Sequence, residues 1–200
     1  SNVAIENRET RPLLKMKISG IPENIDLNGG RQTVEGEILT IRRETLPMGI
    51  MLPEEQVGKY LSATPFIQSD HIRITDMVSK IVSEDEDPFQ KAEKLVNWVF
   101  DNIDKRPVLS IPNALEVLEN RMGDCNEHAV LLAALARAAG IPTRVEAGLV
   151  YMRGRFFYHA WNSLYLGGWI TADALMNQMP ADVTHIRIVQ GGPESQMDLM

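Results

Sequence analysis

The stretch Arg121-Met122-Gly123-Asp124-Cys125-Asn126-Glu127-His128 decides how the chain is read, together with the apolar segment from Ala129 to Ala139 and the Gly140-Ile141-Pro142 that closes it. Gly123 stops what precedes it, and Asp124 is an N-cap whose carboxylate can accept a backbone N–H from the first turn. Val130, Leu131, Ala134, Leu135 and Ala138 recur at helical spacing, and Gly140 fits the position just past the last turn. The pattern predicts a largely buried helix beginning at Cys125. A thiol placed there feels the positive end of the helix dipole, which favours the thiolate, its nucleophilic form. Cys125 is therefore a candidate nucleophile, and it is the one cysteine of the chain.

Two hundred residues with 44% hydrophobic content suffice for one sizeable core. A formal net charge of −7, with no block of Lys or Arg, argues against a nucleic-acid groove. No apolar run approaches the length of a membrane span and no signal-peptide pattern opens the chain, so this fragment is expected to make no membrane contact of its own. A single cysteine excludes an intramolecular disulfide and carries no message about redox compartment. On count alone an inert buried thiol is the commoner reading, and a catalytic one the rarer. The Ser at position 1, the polar start and the tail from Gln190 to Met200 are read as cut from a longer protein, with an extracytoplasmic part as one expectation.

Working outward, Thr143 to Met152 alternates through Val145, Ala147 and Leu149 and predicts a strand, followed by a turn at Gly154. Phe156 to Leu166, Trp169 to Ala174 and His185 to Val189 predict three more, the last an edge or closing strand. Upstream, Ser110 and Pro112 open a short helix through Leu115 and Leu118. Asp87 caps a helix with Pro88 in its first turn and a stripe of Phe89, Ala92, Leu95, Val96, Val99 and Ile103. Ile74, Met77, Val78 and Ile81 form another helical face, with Asp70 as its cap. Residues 46–69 carry Pro47, Pro53 and Pro65 with little periodicity and read as a connecting segment. Residues 1–45 read as a small β extension: Leu14, Met16 and Ile18 alternate with lysines, Asn28-Gly29-Gly30 marks a turn, and Val34, Ile38 and Ile41 follow. Helices first and an antiparallel sheet after, over residues 70–200, is the α+β pattern.

A thiolate nucleophile needs a base, and the base an orienting partner. Of the four histidines, His71 opens a helix in polar surroundings, His128 shares the helix face of Cys125, and His185 starts a strand that offers it no acidic partner. His159 is embedded among Phe156, Phe157, Tyr158 and Trp161, where a carboxylate on the next strand would hold its tautomer; its other reading is a satisfied core histidine. Asp173 is that carboxylate if the hairpin register allows. A two-residue Gly167-Gly168 turn would put Asp173 on the face opposite His159. A three-residue loop, Leu166 to Gly168, sets Trp161 opposite Asp173 and His159 diagonal to it on the same face, about 7–8 Å away. The odd-length loop is predicted.

The blocks Gly123 to Ala129, Ala136 to Val145, Tyr158-His159-Ala160-Trp161-Asn162 and Trp169-Ile170-Thr171-Ala172-Asp173, in this order, resemble the bacterial transglutaminase-like superfamily, which belongs with the papain-like cysteine enzymes. The likeness covers roughly Asp70 to Val189. It implies a papain-like core of helices packed on an antiparallel sheet, with Cys125 as nucleophile, His159 as general base and then acid, and Asp173 as orienting residue. Arg137, Gly140, Pro142 and Arg144 match positions read as structural, while Ser163, Ala172 and Ala174 depart from the common pattern at what reads as the rim of the site. The resemblance implies a thiol acyl-transfer enzyme acting on protein or peptide amides without cofactor or metal. Hydrolysis is favoured because no acidic cluster suggests regulatory calcium. Transfer to an amine, a catalytically silent interaction module, and a zinc site built from Cys125, His128, His159 and Asp173 or His185 are the alternatives. Trp161 and Trp169 line an acyl tunnel in one reading and pack in the core in the other.

Overall fold

The structure, a computed structural model, describes residues 4–22, 25–45, 53–108 and 113–191. In chain order it contains β1 (Leu13–Lys17), β2 (Gln32–Glu35), β3 (Ile38–Arg42), α1 (Glu54–Leu61), α2 (Ile72–Ile81), α3 (Pro88–Asn102), β4 (Asp104–Lys105), α4 (Ala114–Asn120), β5 (Met122–Gly123), α5 (Cys125–Ala138), β6 (Thr143–Met152), β7 (Arg155–Tyr165), β8 (Trp169–Ala172) and β9 (Ile186–Gln190). The fold is α+β. Helices pack on an antiparallel four-stranded sheet of order β8-β7-β6-β9, and the N-terminal strands form a separate sheet of order β1-β3-β2. None of the described helices is long and apolar enough to cross a membrane.

α5 is the centre. Its residues from Glu127 to Ala136 are all buried, so the helix lies inside the protein rather than along one face. α2, α3 and α4 cover it on one side and β6 and β7 on the other, with Leu95, Val99, Leu131, Leu135, Val145 and Leu164 among the fully enclosed contacts. α3 starts where Asp87 accepts the Phe89 and Gln90 amides, as its Asp-Pro opening predicts. α2 is capped one residue later than expected: the His71 ring, not Asp70, accepts the Arg73 amide at 3.2 Å. α4 is capped by Asn113, which receives the Glu116 amide at 3.0 Å. Pro47, Ser110, Pro112 and the tail beyond Gly191 lie outside the described residues.

The connecting segment 46–69 contains a helix that periodicity did not disclose. α1 follows directly on Pro53, whose extended backbone turns into the first turn and whose carbonyl accepts the Gln56 and Val57 amides at 2.9 and 3.0 Å. At eight residues it is too short to hold by propensity. Packing places it: the Tyr60 ring meets the edge of Trp169 at 5.0 Å.

β6 and β7 form a long hairpin closed by Arg153 and Gly154, both with positive φ (50° and 82°), the geometry of the two-residue turn that matches strand twist. β9 lies against β6 with a register shift at Ala147/Gly148. Gly148 is required there, because a Cβ would fall 1.9 Å from the Ile186 carbonyl oxygen. The small N-terminal sheet turns Leu14, Leu39 and Ile41 onto Val183 and Ile186, just before and within β9. Two polar clips reinforce the seam. The buried Gln32 side chain donates to the Leu27 and Arg187 carbonyls and accepts the Arg187 amide. Arg31, nearly enclosed, pairs with Glu44 and donates to the carbonyls of Ala181 (2.7 Å), Asp182 (2.6 Å) and His185 (3.2 Å).

Candidate functional site

The N-terminus of α5 is built by a reciprocal cap. Asp124 accepts the Asn126 amide at 3.0 Å, and Glu127 reaches back to accept the Asp124 amide at 3.0 Å. The glycine before it is sterically obliged: a Cβ on Gly123 would sit 2.2 Å from the Glu127 Cβ. Burial and the neighbouring Asp124 push the Glu127 carboxyl up to about 7. The two-residue pairing of β5 with β4 holds this approach from below, through the Arg106 amide on the Gly123 carbonyl at 3.0 Å. Cys125, half-buried, is thereby fixed at the first helical position.

His159 lies on β7 and is almost wholly buried. Its Nε2 is 2.6 Å from Asp173 Oδ2, which leaves Nδ1 for the thiol. Burial alone would lower its pKa. Hydrogen bonds to Asp173 and to the Cys125 side chain overcome that and raise it to about 9. Asp173 is held far below the usual carboxylate range against a burial effect of the opposite sign, by the bonds and charges of His159 and His185. Its second oxygen accepts the amides of Leu175 and Met176 at 2.9 and 3.1 Å. The β7–β8 connection is the three-residue loop: Tyr165 pairs with Trp169 and Asn162 with Ala172, so Trp161 stands opposite Asp173. β8 ends at Ala172 rather than Ala174 because Asp173 turns away into a bridge with Gln178.

His185 belongs to the same cluster, although sequence reasoning finds it no acidic partner on its strand and offers it only as an alternative zinc ligand. Its Nε2 lies 3.0 Å from the same Asp173 Oδ2, and its Nδ1 lies 3.2 Å from the Asp182 carbonyl and 3.3 Å from Asp182 Oδ1. Its partners come from the loops before β9, not from the strand on which they were sought. The Asp182-Val183-Thr184-His185 turn, in which Asp182 also accepts the Thr184 amide at 2.8 Å, was the available signal.

The remaining expectations divide. His128 is buried beside Cys125 but turned away, its Nδ1 on the Asp124 carbonyl at 2.7 Å and its Nε2 without a partner; burial pulls its pKa down. His71 is the cap of α2. Trp161 is a packing residue, fully buried with its indole N–H on Glu146 at 3.1 Å. Trp169 is partly buried, stacked under the Arg144 guanidinium at 4.0 Å. Arg137 bonds the Thr143 carbonyl at the turn out of α5. Ser163, Ala172 and Ala174 are buried rather than at a rim, because β7 and β8 are enclosed where they pair. Among the described residues, one group could present three metal ligands, His159, Asp173 and His185, with ligand atoms within 4.8 Å of one another. Neither Cys125 nor His128 joins it, and both imidazoles already spend their Nε2 on one carboxylate oxygen. At the open side, Phe157 and Tyr158 are exposed beside His159, and the Tyr158 hydroxyl donates to Asn126 at 3.4 Å.

A buried helix that starts at a cysteine, packed on an antiparallel sheet carrying His and Asp, defines the class, and comparison places the chain within it. The profile of the transglutaminase-like superfamily matches residues 75–174, and the chain belongs to that superfamily. It is 28% identical over 163 residues to an uncharacterised protein of Haemophilus influenzae, the match taking in 67% of this chain and 42% of that protein. The chain thus spans about two-fifths of the length of that relative. Among solved structures, it superposes on a provisionally named cysteine protease of Cytophaga hutchinsonii with a TM-score of 0.61 at 18% identity, over 94% of this chain and 74% of the other. The periplasmic domain of TgpA from Pseudomonas aeruginosa matches with a TM-score of 0.53 at 17% identity, over 84% and 72% of the two chains. At such identities the likeness is one of fold.

Proposed function

We propose that the protein is a thiol acyl-transfer enzyme that cleaves protein or peptide amides, with Cys125 as nucleophile, His159 as proton carrier and Asp173 as its orienting partner. The observation that carries this reading is the position of His159, held through Nε2 on the buried Asp173 carboxylate at 2.6 Å, with Cys125 among the groups that raise its pKa. The Cys125 thiolate adds to the amide carbonyl carbon, and the carbonyl electron pair moves onto oxygen. The Cys125 amide N–H, a first-turn donor that no intrahelical bond uses, faces that oxyanion. Imidazolium His159 gives its proton to the nitrogen, the C–N bond breaks and the amine leaves a thioester on Cys125. Neutral His159 then takes a proton from water as it adds to the thioester and becomes imidazolium again; collapse of the adduct breaks the C–S bond, expelling the thiolate and releasing the acid.

The test is labelling of wild type and Cys125→Ala with peptide and amine probes bearing a thiol-reactive or fluorescent group. The expected result is covalent labelling of the wild type alone, and turnover of a peptide amide to the acid. Incorporation of the amine probe in place of water would move the reading to transamidation. Equal turnover by Cys125→Ala would end it.

A further inference from the structure

Both ring nitrogens of His185 face acceptors only. Nε2 meets the Asp173 carboxylate, and Nδ1 meets the carbonyl and carboxylate oxygens of Asp182. Neither carboxylate is starved of donors: Asp173 takes two amides besides the imidazoles, and Asp182 takes the Thr184 amide and hydroxyl and lies 3.4 Å from the Arg8 guanidinium. Both are therefore anions, and a neutral imidazole between them would turn a lone pair on one of the two. Only the doubly protonated ring satisfies every contact.

We propose that His185 is a positioning residue of the site: as an imidazolium bridging Asp173 and Asp182, it locks the Asp173 carboxylate in place and limits how tightly His159 holds its proton. The inference rests on the reading that His159 serves Cys125. The limitation has two physical sources. His159 and His185 share one oxygen, so neither has the full acceptor strength of Asp173. Their rings are also only 5.7 Å apart, and two positive charges at that distance in a buried site oppose each other. The other charged groups near the ring are already engaged: Arg31 with Glu44 and the His185 carbonyl, and Arg144 with Glu146 on β6. Arg187 on β9 is turned to the Asn28 carbonyl at 2.6 Å. Burial works against the charge on His185, and its bonds to Asp173 and Asp182 outweigh that effect, raising its pKa above the ordinary 6.5.

NMR titration of the histidine rings tests the proposal without requiring a substrate. In wild type, His185 should remain protonated on both nitrogens at about pH 7.5, a unit above an ordinary histidine. In His185→Gln, which keeps a neutral donor towards Asp173, the His159 midpoint should rise by about one pH unit above its wild-type position. A neutral His185 in wild type at that pH would overturn the proposal even if the variant failed to fold. An unmoved or lowered His159 midpoint in a folded variant would overturn it as well. Should the midpoint move as stated while Cys125 proved inert to peptide probes, the positioning by His185 would stand and the acyl-transfer reading would fall.

Discussion

Replacing Asp173 by Asn removes the charge that opposes burial at His159 while keeping the side chain's shape. The rise of the His159 pKa from 6.5 to about 9 amounts to ~3 kcal/mol of preference for the imidazolium, at about 1.36 kcal/mol per unit. With the carboxylate gone, Cys125 is the remaining group that opposes burial, and the midpoint should fall back toward 6.5. At about pH 7.5 the imidazolium form of His159 would drop from nearly the whole population to about a tenth. Alkylation of Cys125 by iodoacetamide, followed by intact mass from about pH 5.5 to 10, reads this directly. Wild type should show a second ionisation near 9 that is absent from the variant, and the variant should react at least about tenfold more slowly at pH 7.5. Stability follows with a definite sign. A group whose pKa is raised on folding stabilises fully below its unfolded value, and that stabilisation is lost as pH rises through the folded value. The wild-type Tm should therefore decline between about pH 6.5 and 9, and the decline should be shallower in the Asn variant, where His185 keeps its Asp182 partner. A folded Asp173→Asn protein with the wild-type alkylation profile would refute the reasoning.

Gly148→Ala should cost ~3 kcal/mol in denaturant unfolding, since the new Cβ meets backbone of β9 that cannot yield. Gly58→Ala in the exposed face of α1, where nothing lies within 4 Å of a new Cβ, should instead stabilise by ~0.5–1 kcal/mol. In Glu127→Gln the amide can still accept the Asp124 amide and preserve the cap. The wild-type carboxyl titrates at about 7 rather than 4.5, so stability falls as pH rises across that interval. Thermal melts of the Gln variant should be flatter there, and an unchanged slope would exclude Glu127 as its source.

The parts that were legible share a physical cause: local pattern and tertiary demand agree in them. α5 has a cap, a periodic apolar run and a closing glycine, and its burial only reinforces what these residues prefer locally. The β7–β8 register followed from parity, since only an odd loop puts His159 and Asp173 on one face. α1 escaped because a short helix between prolines draws its stability from Trp169 and the core, contacts that no window of sequence contains. His185 escaped for a similar reason. Its partners lie on loops whose course depends on the bridge at Asp173 and on the bulge at Gly148. The shift of the α2 cap from Asp70 to His71 is a one-residue displacement between two polar side chains that can both accept an amide.

Arg31 lies far from the thiol in sequence, yet it fills three carbonyls of the segment that ends in His185. A fragment begun at Pro53 to isolate the helices and the larger sheet would strip those carbonyls of their shared donor. It would also uncover Val183 and Ile186, which the small sheet now shields. The histidine beside Asp173 would then hang from an untethered loop. The minimal working unit of this molecule therefore reaches back to its first strand.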